Sequence, residues 1–157
     1  MNSFAGSGIL PRMSFPVNRK KTARIRIGDV SVGGAAPVSV QSMTNTRTED
    51  VDATVAQIKR LEAAGCEIIR VAVPDEASAS AIRAIKTAIS IPLIADIHFN
   101  YRLAIASVEA GADGLRINPG NIGSSRKIKA VADCVRGAGV PIRVGVNAGS
   151  LEKDILK

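Results

Sequence analysis

The sequence is poor in aromatic residues. Its 157 residues include no Trp, one Tyr and three Phe, so aromatic side chains make up 3% of the chain. Proteins that bind single-stranded nucleic acid stack the bases on aromatic side chains. Although the formal net charge of +7 would suit a polyanion, the scarcity of aromatics argues against a nucleic-acid-binding module, whose affinity would depend steeply on salt. A small phosphorylated substrate is the better expectation for this basic chain.

Cysteines and long apolar runs are also scarce. Cys66 and Cys134 are the two cysteines, and they form no CxxC pair, which argues against a disulfide framework or a zinc site. No apolar run is long enough to cross a membrane, and no apolar signal segment opens the chain. We therefore expect a cytoplasmic protein without membrane contacts. Residues 1–15 are small and irregular, and we expect a disordered leader or an added segment there.

Alternating strand and helix patterns fill the rest of the chain. Residues 23–32 alternate around Gly28 and Asp29 and predict a β-hairpin. Five strand–helix units follow, which predicts a parallel sheet. The predicted strands are Val38–Met43, Glu67–Val73, Pro92–Phe99, Gly114–Asn118 and Ile142–Asn147. The predicted helices run from a Thr46/Glu49 capping box to Ala64, over Asp75–Ile89, Tyr101–Ala110 and Ser125–Arg136, and from Leu151 onward.

Five consecutive units fit either an open doubly wound sheet or a (β/α)8 barrel. One parity of every predicted strand is apolar, while the other ends in polar side chains. Polar groups near the carboxyl ends of successive strands are typical of a barrel mouth, whereas an open sheet has apolar side chains on both faces. The pattern predicts an α/β fold of the TIM-barrel type. Because a complete barrel has eight units and typically ~250 residues, residues 16–157 would form either part of a longer barrel, which we favour, or a half-barrel whose open edges another chain covers.

Arginines interrupt three of the apolar strands. Arg70, Arg116 and Arg143 each lie among aliphatic residues, where an unpaired cation is costly. One explanation is three ion pairs with carboxylates inside the barrel. Asp96 is the only acidic residue of matching parity near the mouth, however, and it cannot neutralise three guanidinium groups. We therefore interpret the arginines as a clamp for a diphosphate, whose oxygens match guanidinium geometry.

Other polar groups share this end of the strands. His98 is the only histidine in the chain, and with Asp96 it forms the candidate catalytic pair, Asp96 either orienting His98 or binding a substrate hydroxyl. Asn118 and Asn147 are candidate substrate ligands, although asparagines also cap such turns. The Gly-rich stretch 119–124 and residues 148–150 each precede a predicted helix, where free backbone amides attract anions.

Four segments closely resemble one enzyme family. Val38–Thr46, Ala95–Phe99, Arg116–Gly123 and Arg143–Ser150 are similar, in the same order, to segments of the N-terminal barrel of bacterial 4-hydroxy-3-methylbut-2-enyl diphosphate synthases. The similarity extends from about Val17 to the end of the chain, and it implies that 16–157 are the N-terminal part of a substrate-binding barrel. It implies an oxidoreductase of non-mevalonate isoprenoid biosynthesis, which reductively opens 2-C-methyl-D-erythritol 2,4-cyclodiphosphate to an allylic diphosphate.

The resemblance also implies roles, cofactors and partners. It implies that Arg70, Arg116 and Arg143 hold the diphosphate and that Asp96, His98, Asn118 and Asn147 are the polar groups of the mouth. It implies a homodimer, flavodoxin or ferredoxin as the electron donor, and a [4Fe-4S] cluster in a separate C-terminal domain. Since the three cysteines and the glutamate that ligate that cluster are not in this chain, we expect no metal ligands here and no turnover by this chain alone.

A different barrel enzyme is the alternative. A dihydropteroate-synthase-like transferase also binds a diphosphate at a barrel mouth, but its substrate is a pterin and it has no redox centre. Competition between the cyclodiphosphate and a pterin diphosphate would separate the two interpretations.

Overall fold

The computed structural model describes residues 20–146 and residue 149, and alternating strands and helices fill that range. The strands are β1 Ile25–Ile27, β2 Val30–Val32, β3 Gln41–Met43, β4 Ile68–Ala72, β5 Leu93–Ile97, β6 Gly114–Ile117 and β7 Ile142–Val144. The helices are α1 Val51–Ala63, α2 Glu76–Ala88, α3 Tyr101–Glu109, α4 Pro119–Ile122 and α5 Ser125–Ala138.

The central element is a parallel sheet in the order β3-β4-β5-β6-β7. Each strand pairs with the next one along the chain, as in a barrel, whereas a doubly wound sheet reverses its strand order. β1 and β2 form a separate antiparallel hairpin. The predicted hairpin, the five predicted sheet strands and the first four predicted βα units are therefore confirmed.

The outward face of the sheet forms the main core. Side chains of the apolar parity are buried beneath the helices, among them Ile69, Val71, Leu93, Leu115 and Ile117. The helices contribute apolar side chains at helical spacing, such as Ile82 and Ile85 of α2. This packing leaves the opposite parity of each strand, which contains the polar residues, on the inward face.

The hairpin covers the amino-terminal end of the inward face. Ile27 of β1 packs against Ile68 and Ile94, which are on the inward parity of β4 and β5. Gly114 of β6 completes this layer, where a Cβ would lie 3.2 Å from Ile94 Cγ1. The inward face is therefore apolar at one end, and its polar side chains are confined to the carboxyl ends of the strands.

The helix N-termini differ from the sequence prediction at one position. The expected Thr46/Glu49 capping box is wrong, because Asp50 caps α1 by accepting a hydrogen bond from the Ala53 N–H at 3.0 Å. Thr46 and Glu49 have other partners: the Thr46 hydroxyl bonds to that of Thr54, and Glu49 pairs with Arg47. A rule based on residue spacing does not show which of several polar side chains accepts the hydrogen bond from the helix N-terminus.

The loop after β6 also differs from expectation. In place of the Gly-rich turn that the sequence predicts within 119–124, residues 119–122 form the single-turn helix α4, with Pro119 in its first turn, where proline is favoured. The sheet strands are slightly shorter than predicted. The predicted helix from Leu151 onward lies outside the described residues. Among those residues, no helix is long and apolar enough to cross a membrane.

Candidate functional site

Two of the three predicted arginines meet at one carboxylate. Parallel register places Asp96 of β5 beside Ala72 of β4 and Arg116 of β6. Arg70 Nε lies 3.4 Å from Asp96 Oδ2, and Arg116 Nη1 lies 3.1 Å from Asp96 Oδ1. The Asp96 side chain is 3% exposed, against 26% for Arg70 and 24% for Arg116. The guanidinium groups therefore line the open side of a buried carboxylate.

Each guanidinium has a second support. Met43 Sδ accepts hydrogen bonds from Arg70 Nε at 3.3 Å and Nη2 at 3.2 Å. Arg116 packs so closely on Gly145 that a Cβ there would lie 2.9 Å from both Nε and Nη2. Sequence reasoning missed both supports, although Met43 follows the inward parity of its strand and Gly145 follows Arg143 in the strand pattern.

Arg143 shares the inward face without sharing the carboxylate. It pairs in register with Arg116 across β6 and β7, so the two side chains leave the sheet on the same side. Arg143 is exposed, and no ion pair joins it to another residue within 20–146. Three guanidinium groups and one carboxylate leave two formal positive charges on this face. The ion-pair explanation thus accounts for two arginines, and the excess charge suits an anion.

His98 and the two candidate asparagines differ in what the structure says of them. His98 follows β5 on the parity of Asp96 and is half-buried, with its ring centroid 6.2 Å from that of Phe99. Both Asp96 oxygens face arginines, so the contacts of Asp96 do not orient His98. Asn118 is 2% exposed and caps α4, its Oδ1 accepting from the Gly120 N–H at 3.2 Å. This is the capping role that the sequence left open. Asn147 lies outside the described residues.

Two buried polar atoms, one on β3 and one directly after it, have no hydrogen-bond partner among the described residues: Gln41 Oε1 and Thr44 Oγ1. Gln41 lies one inward position before Met43, and the Thr44 N–H donates to the Arg70 carbonyl at 3.0 Å. Unpaired buried polar groups are rare in folded proteins and require an explanation. Gln41 therefore adds an uncommitted amide oxygen to the β3 side of the inward face, whereas Thr44 follows β3 on the opposite parity.

The described residues do not fit a metal or an iron–sulfur cluster. They contain no group of three or more His, Cys, Asp or Glu side chains that could hold a metal ion. The buried Cys66 donates its S–H to the Ile68 carbonyl at 3.1 Å. Burial raises the pKa of the Cys134 thiol on α5, and nearby Glu109 adds to the effect. Cys66 is buried and Cys134 is half-buried, and neither lies in a group of side chains that could hold a metal among the described residues.

Comparison with known proteins places this site in context. Residues 22–157 match the GcpE TIM-barrel domain. The 4-hydroxy-3-methylbut-2-en-1-yl diphosphate synthase (flavodoxin) of Anoxybacillus flavithermus is 60% identical over 144 residues, which cover 92% of this chain and 40% of that protein. The enzyme of the same name from Caldanaerobacter subterraneus is 63% identical over 138 residues, covering 88% and 39%. This chain thus spans about 40% of the length of these relatives.

Similar solved structures share the fold at low sequence identity. A Yersinia pestis dihydropteroate synthase has a TM-score of 0.61 at 13% identity, with 85% of this chain and 51% of that chain covered. A Xanthomonas albilineans dihydropteroate synthase has a TM-score of 0.57 at 20% identity, with 83% and 52% covered. These similarities are evidence for the fold alone.

Proposed function

Because this chain belongs to the GcpE TIM-barrel domain family, we propose that it is the diphosphate-binding part of a 4-hydroxy-3-methylbut-2-en-1-yl diphosphate synthase. The family and the barrel fold expected from the sequence are both confirmed. The transferase alternative has only fold similarity at 13% to 20% identity behind it, against about 60% identity for the synthases.

The observation that carries the proposal is the excess of positive charge on the inward face. Arg70 and Arg116 share Asp96, and Arg143 stands beside Arg116 without a carboxylate among the described residues. A guanidinium group can donate two parallel hydrogen bonds to phosphate oxygens, and this interaction is stronger where the group is partly shielded from water. In this proposal the three arginines bind the diphosphate, and Asn118 and Asn147 bind the remaining oxygens.

His98 and Asp96 have different proposed roles. His98 lies at the carboxyl end of β5 with no hydrogen bond to another described residue, so it is the candidate proton donor for a departing hydroxyl. Asp96 acts through the guanidinium groups that it holds. The proposed reaction consumes two electrons and protons, opens the cyclic diphosphate, and releases a hydroxyl as water to form the allylic diphosphate.

The electron supply belongs to the proposal as well. A [4Fe-4S] cluster would supply the electrons one at a time. The described residues do not fit such a cluster, and we derive no step through it. We propose flavodoxin or ferredoxin as the donor, following the donor printed in the names of the relatives, together with a homodimeric, cytoplasmic enzyme. On this proposal the 157-residue chain binds the substrate without turning it over, even after reconstitution with iron and sulfide.

Calorimetry with the 157-residue chain tests the proposal. The cyclodiphosphate should bind, and Arg143→Met should weaken binding at least tenfold because a charge-assisted contact to the diphosphate is lost. Arg136→Met removes an exposed arginine from α5 and should leave the affinity unchanged. Tighter binding of a pterin diphosphate, or equal losses in the two variants, would overturn the proposal.

A further inference from the structure

Three cations surround the single tyrosine of the chain. Arg102 Cζ lies 6.0 Å and Lys127 Nζ lies 5.9 Å from the centroid of the Tyr101 ring. The Arg102 guanidinium, which interacts with the Tyr101 hydroxyl, lowers the pKa of Tyr101, and the charges of Lys127 and Arg126 add to the effect. We call these four residues, from the first turns of α3 and α5, the basic rim.

The basic rim opposes the local stability of α5. The positive end of a helix dipole favours acidic side chains in the first turn and disfavours cations. The first turn of α5 contains no acidic residue, and Ser124 makes no side-chain cap hydrogen bond there. Arg126 and Lys127 occupy that turn instead. Since local rules are commonly broken where a protein has a function to perform, helix stability does not explain these cations.

The rim has little charge compensation. Within the described part of the chain no carboxylate forms an ion pair with Arg102, Arg126 or Lys127, although the charge of Glu76 helps to raise the pKa of Arg102. Phe99 lies two residues before the start of α3 and is 71% exposed, next to His98. An exposed phenylalanine bordered by arginine and tyrosine has the composition of an interaction hot spot, in which aromatic and arginine side chains predominate. The same surface therefore offers both charge and an apolar contact.

The basic rim does not lie at an edge of the sheet. α3 follows β5 and α5 follows β6, and the two helices pack against each other. β5 and β6 have a paired neighbour on both sides. The rim therefore lies beside the carboxyl end of β5, near His98 and away from the outer strands β3 and β7.

We propose that the basic rim is a docking surface for an acidic face of a partner protein, and specifically for the flavin-carrying electron donor. This assignment of the partner rests on the proposed function. The cations are exposed and spread over two helices, which fits an extended acidic surface better than one small anion held by buried donors. Charges arranged in this way accelerate encounter and orient the partner.

Titration calorimetry with oxidised flavodoxin at low salt tests the proposal. The double variant Arg126→Glu/Lys127→Glu should weaken binding at least tenfold. The matched control Lys59→Glu/Arg60→Glu makes the same charge change at two adjacent exposed positions of α1 and should change binding less than twofold. The melting temperature of the rim variant should stay the same or rise, since glutamates suit the first turn of a helix, so unfolding would not account for the loss.

A labelled tyrosine gives a second readout. With 13C in the Tyr101 ring, unlabelled flavodoxin should shift the tyrosine signal of the unmodified chain and the control, but not of the rim variant. Equal weakening in both double variants, or competition by millimolar inorganic diphosphate at constant ionic strength, would overturn the proposal. Binding of the cyclodiphosphate without binding of flavodoxin would overturn it while leaving the proposed function intact. Binding of flavodoxin alone would support the rim and contradict the proposed function.

Discussion

At the scale of single residues, the site depends on how one buried carboxylate arranges two cations. Asp96 touches Arg70 and Arg116 at once, and both arginines keep about a quarter of their side-chain surface in solvent. Removing one partner of a buried ion pair is costly because the remaining charge stays desolvated. Partial exposure of the two arginines reduces that cost through solvent screening.

Replacing Asp96 with asparagine should therefore destabilise the chain by about 2 kcal/mol. Urea unfolding at neutral pH measures the effect. Asp29→Asn is the matched control, because Asp29 also pairs with an arginine, Arg26, but its side chain is fully exposed, and such pairs contribute little. A loss no larger than that of the control would show that Asp96 is not the structural centre of the arginine cluster.

Gly145 is a second residue on which the site depends. An added methyl group would overlap the Arg116 guanidinium at 2.9 Å, and because that group ends a flexible side chain, Arg116 should move rather than the backbone. Gly145→Ala should weaken diphosphate binding roughly tenfold by misplacing one charge-assisted contact. Gly137→Ala is the control, since a Cβ there meets nothing within 4 Å. Unchanged affinity in Gly145→Ala would remove Gly145 from the site.

At the scale of elements, aspartates begin two of the helices. The Asp75 carboxylate caps α2 by accepting a hydrogen bond from the Ser78 N–H at 2.8 Å. This bond, followed by the Ser78 hydroxyl and the charge of Arg47, lowers the pKa of Asp75 below its ordinary 3.8. A carboxylate whose pKa is lower in the folded state stabilises the fold above its unfolded pKa, and loses that contribution as the pH falls through the folded value.

Asp75→Asn should consequently flatten the acid limb of the stability profile. The amide still caps α2 but does not titrate, so the difference in unfolding free energy between pH 6 and about pH 3 should be smaller than in the unmodified chain. Urea unfolding at the two pH values checks this expectation. An identical pH dependence in the two proteins would assign the acid sensitivity to other carboxylates.

The sequence patterns predicted most of the helices and strands, but not all of them. Period-2 and period-3.6 patterns located the hairpin, the five sheet strands and four of the helices, because burial sets those periods. The same patterns missed the Asp50 cap and the single-turn helix α4. Both depend on which of several nearby polar side chains accepts a hydrogen bond from a backbone N–H, and the amino-acid composition does not determine this.

For the site, the sequence predicted which residues share a face but not which side chains contact one another. Strand parity placed Arg70, Asp96, Arg116 and Arg143 on one face, as the sheet register shows. It did not reveal that Asp96 pairs with two arginines rather than with His98, since ion pairing across strands depends on register and side-chain length. The packing of Arg116 on Gly145 was also hidden, because it joins the end of one side chain to the backbone of a neighbouring segment.

At the scale of the whole molecule, the two faces of the parallel sheet differ in chemistry. Its outward face forms the apolar core, while its inward face is closed by the hairpin at one end and carries the arginines at the other. Such a division is the general plan of TIM barrels, whose binding sites lie at the carboxyl ends of the strands. The basic rim lies on the helices around that end, so the proposed substrate and the proposed partner would approach the same side.

The central claim is that three strands present their arginines to one diphosphate. The most direct measurement is an NMR titration that follows the arginine Nε–H signals while the cyclodiphosphate is added to the labelled chain. We expect the signals of Arg70, Arg116 and Arg143 to shift together with a single dissociation constant, and those of Arg102 and Arg126 to stay unchanged. Shifts confined to exposed arginines of the helices, or different dissociation constants for the three strand arginines, would contradict it.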